Sequence, residues 1–302
     1  MIPLWLTAAF AFSLPRALPA PDSVDRMIVV APAESLHVVM VGPELGPPVL
    51  IIPGLVSPAF AFRHVLPPLA DAGVRAVVIE PLGVGASSRP ADADYSHTAQ
   101  AHRIAMVMDS LHLTQAVTMG HAVGAPIALR LALARPELVH RLLLVEEGPV
   151  ESAAVPGVKN ALKFAFFIRI FAGRGRVKKE LRKGLIASSG DTTWVTDEVI
   201  EGYTRGPAGD IGAVLRALKG MQNSTEPDSL TPRLGQLQIP VRLLLGGAAH
   251  KSGISPNRLR ALEEHVHGFS MQTVLGAGLH IHEEQPDVIV RELLALVREK
   301  HR

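Results

Sequence analysis

Short runs of β-branched and aliphatic residues alternate with stretches of helical spacing along most of this chain. The strand candidates are Met27–Val30, Leu36–Val41, Val49–Ile52, Ala76–Ile79, Ala116–Met119, Leu142–Val145, Val241–Leu245 and Gln272–Leu275. Helical patterns cover Arg63–Asp71, Thr98–Leu111, Ala122–Ala134, Pro256–His265 and Gln285–Glu299. The first strands follow one another with no helix between them, which predicts an antiparallel start. The later strand–helix alternation predicts a mostly parallel sheet covered on both faces.

The alternation breaks between about Glu151 and Asp228. No strand pattern is visible there, and helical segments are separated by turn signals such as Gly173-Arg174-Gly175 and Gly206-Pro207. An insertion of this size between two strands predicts a helical cap. The resulting division is an apolar leader or arm at 1–20, a first core part at 21–150, the cap at 151–228 and a second core part at 229–302. Met1 to Leu14 is uncharged and too short to span a bilayer comfortably. It has the length of a signal-peptide core with Ala20 as a cleavage residue, but lacks the positive flank. The alternative is an arm that packs on the domain. Localisation stays open between secreted or periplasmic, membrane-associated and cytoplasmic.

Composition narrows the chemistry. Hydrophobic residues make up 48% of the 302, a proportion suited to a buried parallel sheet. There is no cysteine, which excludes disulfides, thiolate catalysis and Cys-based metal sites. A net charge of +2 gives no argument for nucleic acid. No metal or nucleotide motif is present, so no metal and no cofactor are expected.

The chemistry-bearing segment is Gly120-His121-Ala122-Val123-Gly124. It follows an apolar strand and opens a helix, the setting of a G-x-S-x-G turn, whose glycines make room for a sharp strand-to-helix reversal. Upstream stand Pro53-Gly54-Leu55-Val56 and Glu80-Pro81-Leu82-Gly83-Val84-Gly85-Ala86-Ser87-Ser88-Arg89-Pro90. In order and spacing the three segments resemble the α/β-hydrolase fold superfamily. The second is similar to its oxyanion loop, and the third to its D-x-R-G-x-G-x-S-x-x-P loop. The resemblance runs from about Val49 to Glu299, interrupted by the cap. It implies an eight-stranded, mostly parallel sheet flanked by helices.

By that resemblance Ala122 occupies the nucleophile position, and the backbone N–H groups of Leu55 and Val123 would form the oxyanion hole. Pro53 replaces the usual histidine of the oxyanion loop. The usual place of the catalytic acid, after the strand ending at Gly246, holds Ala249 or His250, and Ile239 to Leu262 contains no acid. Haloalkane dehalogenases instead carry a carboxylate at the end of the preceding strand. Glu146, followed by Glu147, stands there. The base would come from Gly278-Leu279-His280-Ile281-His282. Without a gap Leu279 takes the histidine's place; with a shift of one residue His280 does, and His282 is a further alternative. The expected set is Ala122, His280 and Glu146, with Glu146 orienting His280. Dehalogenation is not expected, because Leu55 and Val123 are not the halide-binding Asn and Trp.

Phe164, Phe167 and Phe171 would roof a pocket for an apolar acyl substrate, or simply form the buried side of a cap helix. The basic run Arg174–Lys183 is a solvated helix face or a contact for an anionic membrane surface. The resemblance implies an esterase-like hydrolase, acting on a small apolar or ester-like substrate, with its nucleophile missing. Two alternatives stay open: a non-catalytic binding protein on the same scaffold, and a nucleophile-independent reaction using His280.

Overall fold

A computed structural model describes residues 23–154, 174–205, 211–250 and 253–299. Eight strands form one sheet: β1 (Val24–Ala31), β2 (Glu34–Val41), β3 (Pro48–Ile52), β4 (Arg75–Ile79), β5 (Ala116–His121), β6 (Val139–Val145), β7 (Val241–Gly246) and β8 (Phe269–Val274). Their order across the sheet is β1-β2-β4-β3-β5-β6-β7-β8. β2 pairs antiparallel with both β1 and β4, and every later pairing is parallel. The antiparallel start and the parallel remainder agree with the hydrophobic pattern.

Alternation within the central strands divides the core in two. Leu50, Ile52, Leu142 and Leu144 face one side of the sheet, where α2 (His97–Ser110), α3 (Gly124–Ala134) and α7 (Pro256–His265) pack. Val49, Ile51, Leu143 and Val145 face the other, against α1 (Leu66–Asp71) and α9 (Pro286–Arg298). Burial on both faces explains why these strands read as continuous apolar runs. Between β6 and β7 the described residues form α4 (Arg174–Ser188), α5 (Asp197–Thr204) and α6 (Ile211–Asn223). The short α8 (Ile281–Glu284) precedes α9.

Several boundaries differ from the sequence pattern, among them three that bear on the site and its surroundings. α1 begins at Leu66 rather than Arg63, because Pro67 and Pro68 lack amide hydrogens and fit only a first turn. A 3-10 turn at Ala59–Phe62 precedes it. β8 begins at Phe269, paired with Val241, and ends before Leu275. α3 begins at Gly124 rather than Ala122, because Ala122 has a left-handed backbone.

A polar cluster ties the antiparallel edge to the loop after β4. His37 on β2 donates through one ring nitrogen to Glu80 (2.8 Å) and through the other to Asp25 on β1 (2.7 Å). The buried Glu80 carboxylate also accepts from the Ala59 and Ala86 N–H groups, at 2.7 and 2.6 Å. The hydrogen bond to Glu80, helped by both carboxylate charges and opposed by burial, pushes the His37 imidazole up to about 9. The folded state therefore binds this proton more tightly than the unfolded chain, whose histidine titrates near the ordinary value of 6.5. Its stabilisation is complete below that value and disappears as pH rises through about 9. Urea unfolding of the wild type is expected to lose on the order of 1–2 kcal/mol across this window, after allowance for solvent screening. His37→Gln should lack that component. Parallel pH profiles for the two proteins would overturn the assignment.

Candidate functional site

β3 lies between β4 and β5, so the chain leaves β3 to one side and returns to the other. The crevice at the carboxyl ends of such strands is the usual ligand position in an open α/β sheet. The loop after β3 and the turn after β5 meet there. Ala122 at the centre of that turn has φ +49°. A non-glycine residue in this region carries about 1–2 kcal/mol of strain, so its surroundings must hold it. Its N–H donates to the Val145 carbonyl (3.0 Å), and its carbonyl accepts from Ala125 N–H (2.9 Å) to open α3.

The flanking glycines are required by contact. A Cβ at Gly124 would lie 2.1 Å from the Ile52 carbonyl oxygen, and one at Gly120 would lie 2.5 Å from the Gly124 carbonyl oxygen. A Cβ at Gly54 would come within 3.3 Å of the Ala122 methyl. Ala122 is half-buried and offers only that methyl. Leu55 and Val123 flank the same junction, and neither N–H makes a hydrogen bond among the described residues. Gly124→Ala is expected to cost more than about 3 kcal/mol of stability in urea unfolding, because its obstruction is backbone rather than a flexible side chain. A variant as stable as wild type would show that the turn tolerates a shift.

Register brings Glu146 beside Ala122. His121 pairs with Val145, so the next residues of β5 and β6 emerge together, both with positive φ (Glu146, +69°). The structure does not, however, join Glu146 to His280. The buried Glu146 carboxylate accepts from Gly246 N–H, and its other oxygen lies 3.0 Å from His250 Nε2. His250 Nδ1 must carry a proton, because it faces the Ala248 carbonyl oxygen at 2.8 Å. Glu146 and His250 Nε2 therefore share one further proton. Burial drives the Glu146 carboxyl upward, while Gly246 and His250 oppose it. The residue standing where the acid was expected is thus an imidazole, and it takes the carboxylate predicted for His280.

His280 is buried and points its Nε2 at Ser188 Oγ, 3.0 Å away at the end of α4. The Ser188 hydroxyl also lies within hydrogen-bond reach of the Gly184 (2.9 Å) and Leu185 (3.2 Å) carbonyls. His280 Nδ1 has no partner among the described residues. Burial, reinforced by His121 and His250, lowers the His280 imidazole to about 3. Leu279 is partly exposed and donates its N–H to the Ser188 carbonyl (2.8 Å). Glu284 gathers the N–H groups of Gly190, Asp191, Gly278 and His280, clamping this loop to the segment after α4.

Beneath that loop lies a histidine cluster that the sequence did not reveal. His121 Nε2–H donates to the Leu279 carbonyl (3.0 Å). His282 is fully buried, stacks on Phe62 at 4.7 Å and meets His121 edge-on at 4.5 Å. Neither of its ring nitrogens has a partner among the described residues. Burial lowers His121 to about 4 and drives His282 well below the ordinary imidazole range. No group of these donors is arranged to hold a metal ion among the described residues.

A cavity of about 330 Å³ lies beside the junction. Its walls come from Leu55, from Val177 and Leu181 on α4, from Tyr203 on α5 and from Leu218 and Met221 on α6. Leu55 is the expected site residue it touches; Ala122, Val123 and His280 do not line it. Phe164, Phe167 and Phe171 lie outside the described residues. Tyr203, which sequence reasoning did not single out, donates to Glu283 (2.9 Å), and Arg63 donates to the same oxygen (2.7 Å).

The buried imidazoles have a consequence for stability. Their folded values are depressed, so on acidification the unfolded chain takes up protons first. Stability is complete above about 6.5 and falls as pH drops towards 4, by up to about 1.4 kcal/mol per pH unit for each histidine kept neutral. His282→Leu removes one such proton and two unsatisfied nitrogens, and should shift the acid midpoint in circular dichroism to lower pH. A midpoint at higher pH would contradict this account.

The family model described as alpha/beta hydrolase fold matches residues 47–171. The chain is 25% identical over 250 residues to the uncharacterized hydrolase YugF of Bacillus subtilis, covering 81% of this chain and 88% of that protein. It is 28% identical to a haloalkane dehalogenase of Mycobacterium marinum over 60% of this chain, and spans 58% of that relative's length. The carboxylesterase CesB of Bacillus subtilis superposes with a TM-score of 0.72 at 18% identity, covering 94% of each chain. With its eight-stranded, mostly parallel sheet and flanking helices, the chain has the α/β-hydrolase fold.

Proposed function

We propose that this chain binds a small apolar or ester-like ligand on a hydrolase scaffold and does not turn it over through a serine acyl-enzyme. In this reading Ala122 holds the nucleophile position, Leu55 and Val123 supply oxyanion-type N–H groups, and α4–α6 form a cap whose inner face walls the cavity. The observation that carries it is the division of the catalytic partners. Ala122 has the strained backbone of a nucleophile turn but no hydroxyl, Glu146 is engaged by His250, and His280 faces Ser188. An inactivation by one replacement would leave acid and base paired, as a base needs its orienting group. The apolar cavity beside Leu55 supports retained binding.

The test uses p-nitrophenyl esters of short and medium acyl chains. Wild type is expected to bind a medium-chain ester saturably, with hydrolysis no faster than in buffer. Leu218→Trp, which fills the cavity, should abolish binding. Ala122→Ser should raise turnover less than about tenfold, because a serine without a paired base stays a weak nucleophile. A larger rise with an acyl-enzyme burst would mean that one missing oxygen was the whole defect. Absence of saturable binding would remove the ligand-binding reading itself.

A further inference from the structure

Charge is distributed unevenly along this chain. Residues 155–183 hold nine basic residues and one acidic, a net of +8. The remaining 21 basic and 27 acidic residues leave −6 for the rest. Within the described residues this basic segment is α4, and the helix sorts its side chains by face. Leu185 is buried in the same apolar cluster as Val195 and Val199, and Leu181 packs on that cluster. On the flank towards α5, Lys178 pairs with Glu201 and Arg182 with Asp197. The outward stripe consists of Arg176, Lys179, Lys183 and Ile186, spaced so that they share one face. Glu180 is the carboxylate on this stripe and pairs with Lys183 at 2.9 Å. Arg176 and Lys179 have no ion-pair partner among the described residues, and Ile186 is 44% exposed.

We propose that this outward face of α4 docks on an anionic lipid surface, bringing the apolar cavity walled by Val177 and Leu181 to the membrane interface. Lysine and arginine heads would sit among lipid phosphates, with their methylene stems and Ile186 at the headgroup boundary. An apolar residue at the end of the stripe favours a lipid surface over nucleic acid, whose phosphates reward cations alone. The opposite side of the same helix walls the apolar cavity, so an amphiphile leaving the surface would have a short path to it. No described helix is long and apolar enough to cross a membrane, so the contact proposed is peripheral.

The test is co-sedimentation of the full chain with phosphatidylcholine vesicles, with and without phosphatidylglycerol. Binding is expected only with the anionic lipid, and added salt should reverse it. Replacing Arg176, Lys179 and Lys183 together by glutamine should weaken binding about 100-fold, at roughly fivefold per cation. A control carrying Arg26→Gln, Arg291→Gln and Arg298→Gln, on β1 and α9, loses the same charge elsewhere and should bind as wild type. Equal weakening of both variants would overturn the assignment to α4. So would failure to bind anionic vesicles at low salt, or binding to duplex DNA in preference to them. Reversal by salt tests the electrostatic contact in the wild type, independently of how any variant folds. Ester binding in the cavity is scored separately, so the two proposals fail separately.

Discussion

The close approach of β3 to the turn after β5 is the constraint on which the rest of the site depends. The Ile52 carbonyl occupies the space that any side chain at position 124 would need. That contact admits only glycine, brings the loop at Gly54 against the Ala122 methyl, and starts α3 directly beyond. The strain at Ala122 is held by a hydrogen bond to β6 and by the first turn of α3. The scaffold therefore preserves a costly backbone geometry around a side chain with no reactive atom. Such a geometry would aim a reactive side chain into the crevice.

The polar groups around the turn illustrate how partner choice decides chemistry. A carboxylate at the end of β6 and an imidazole in the loop after β8 would make a base–orienter pair if they met. Here each has another partner. His250 lies against Glu146, and His280 Nε2 lies against the Ser188 hydroxyl. The loop is then fixed from above by Glu284 and from below by His121. These bonds join the segment after α4 to the loop after β8. Burial explains the depressed imidazoles. Buried beside one another and short of carboxylates, they are cheapest as neutral rings.

The sequence by itself determined the sheet and the turn. The continuous apolar runs of β3, β4 and β6 and the glycines at 120 and 124 are signals carried by residue type along the chain. Ala122 is equally legible as a residue with no hydroxyl at the centre of the turn. Only tertiary structure decided who partners whom. Glu146 and His250 are 104 residues apart, and Ser188 and His280 are 92 apart. The helix that supplies Ser188 showed no spacing that announced the contact. His282 likewise gave no sign that it would lie fully buried between Phe62 and His121. A hydrogen bond depends on ångström-scale positions set by the packing of whole elements, whereas sequence spacing conveys only which residues share a face.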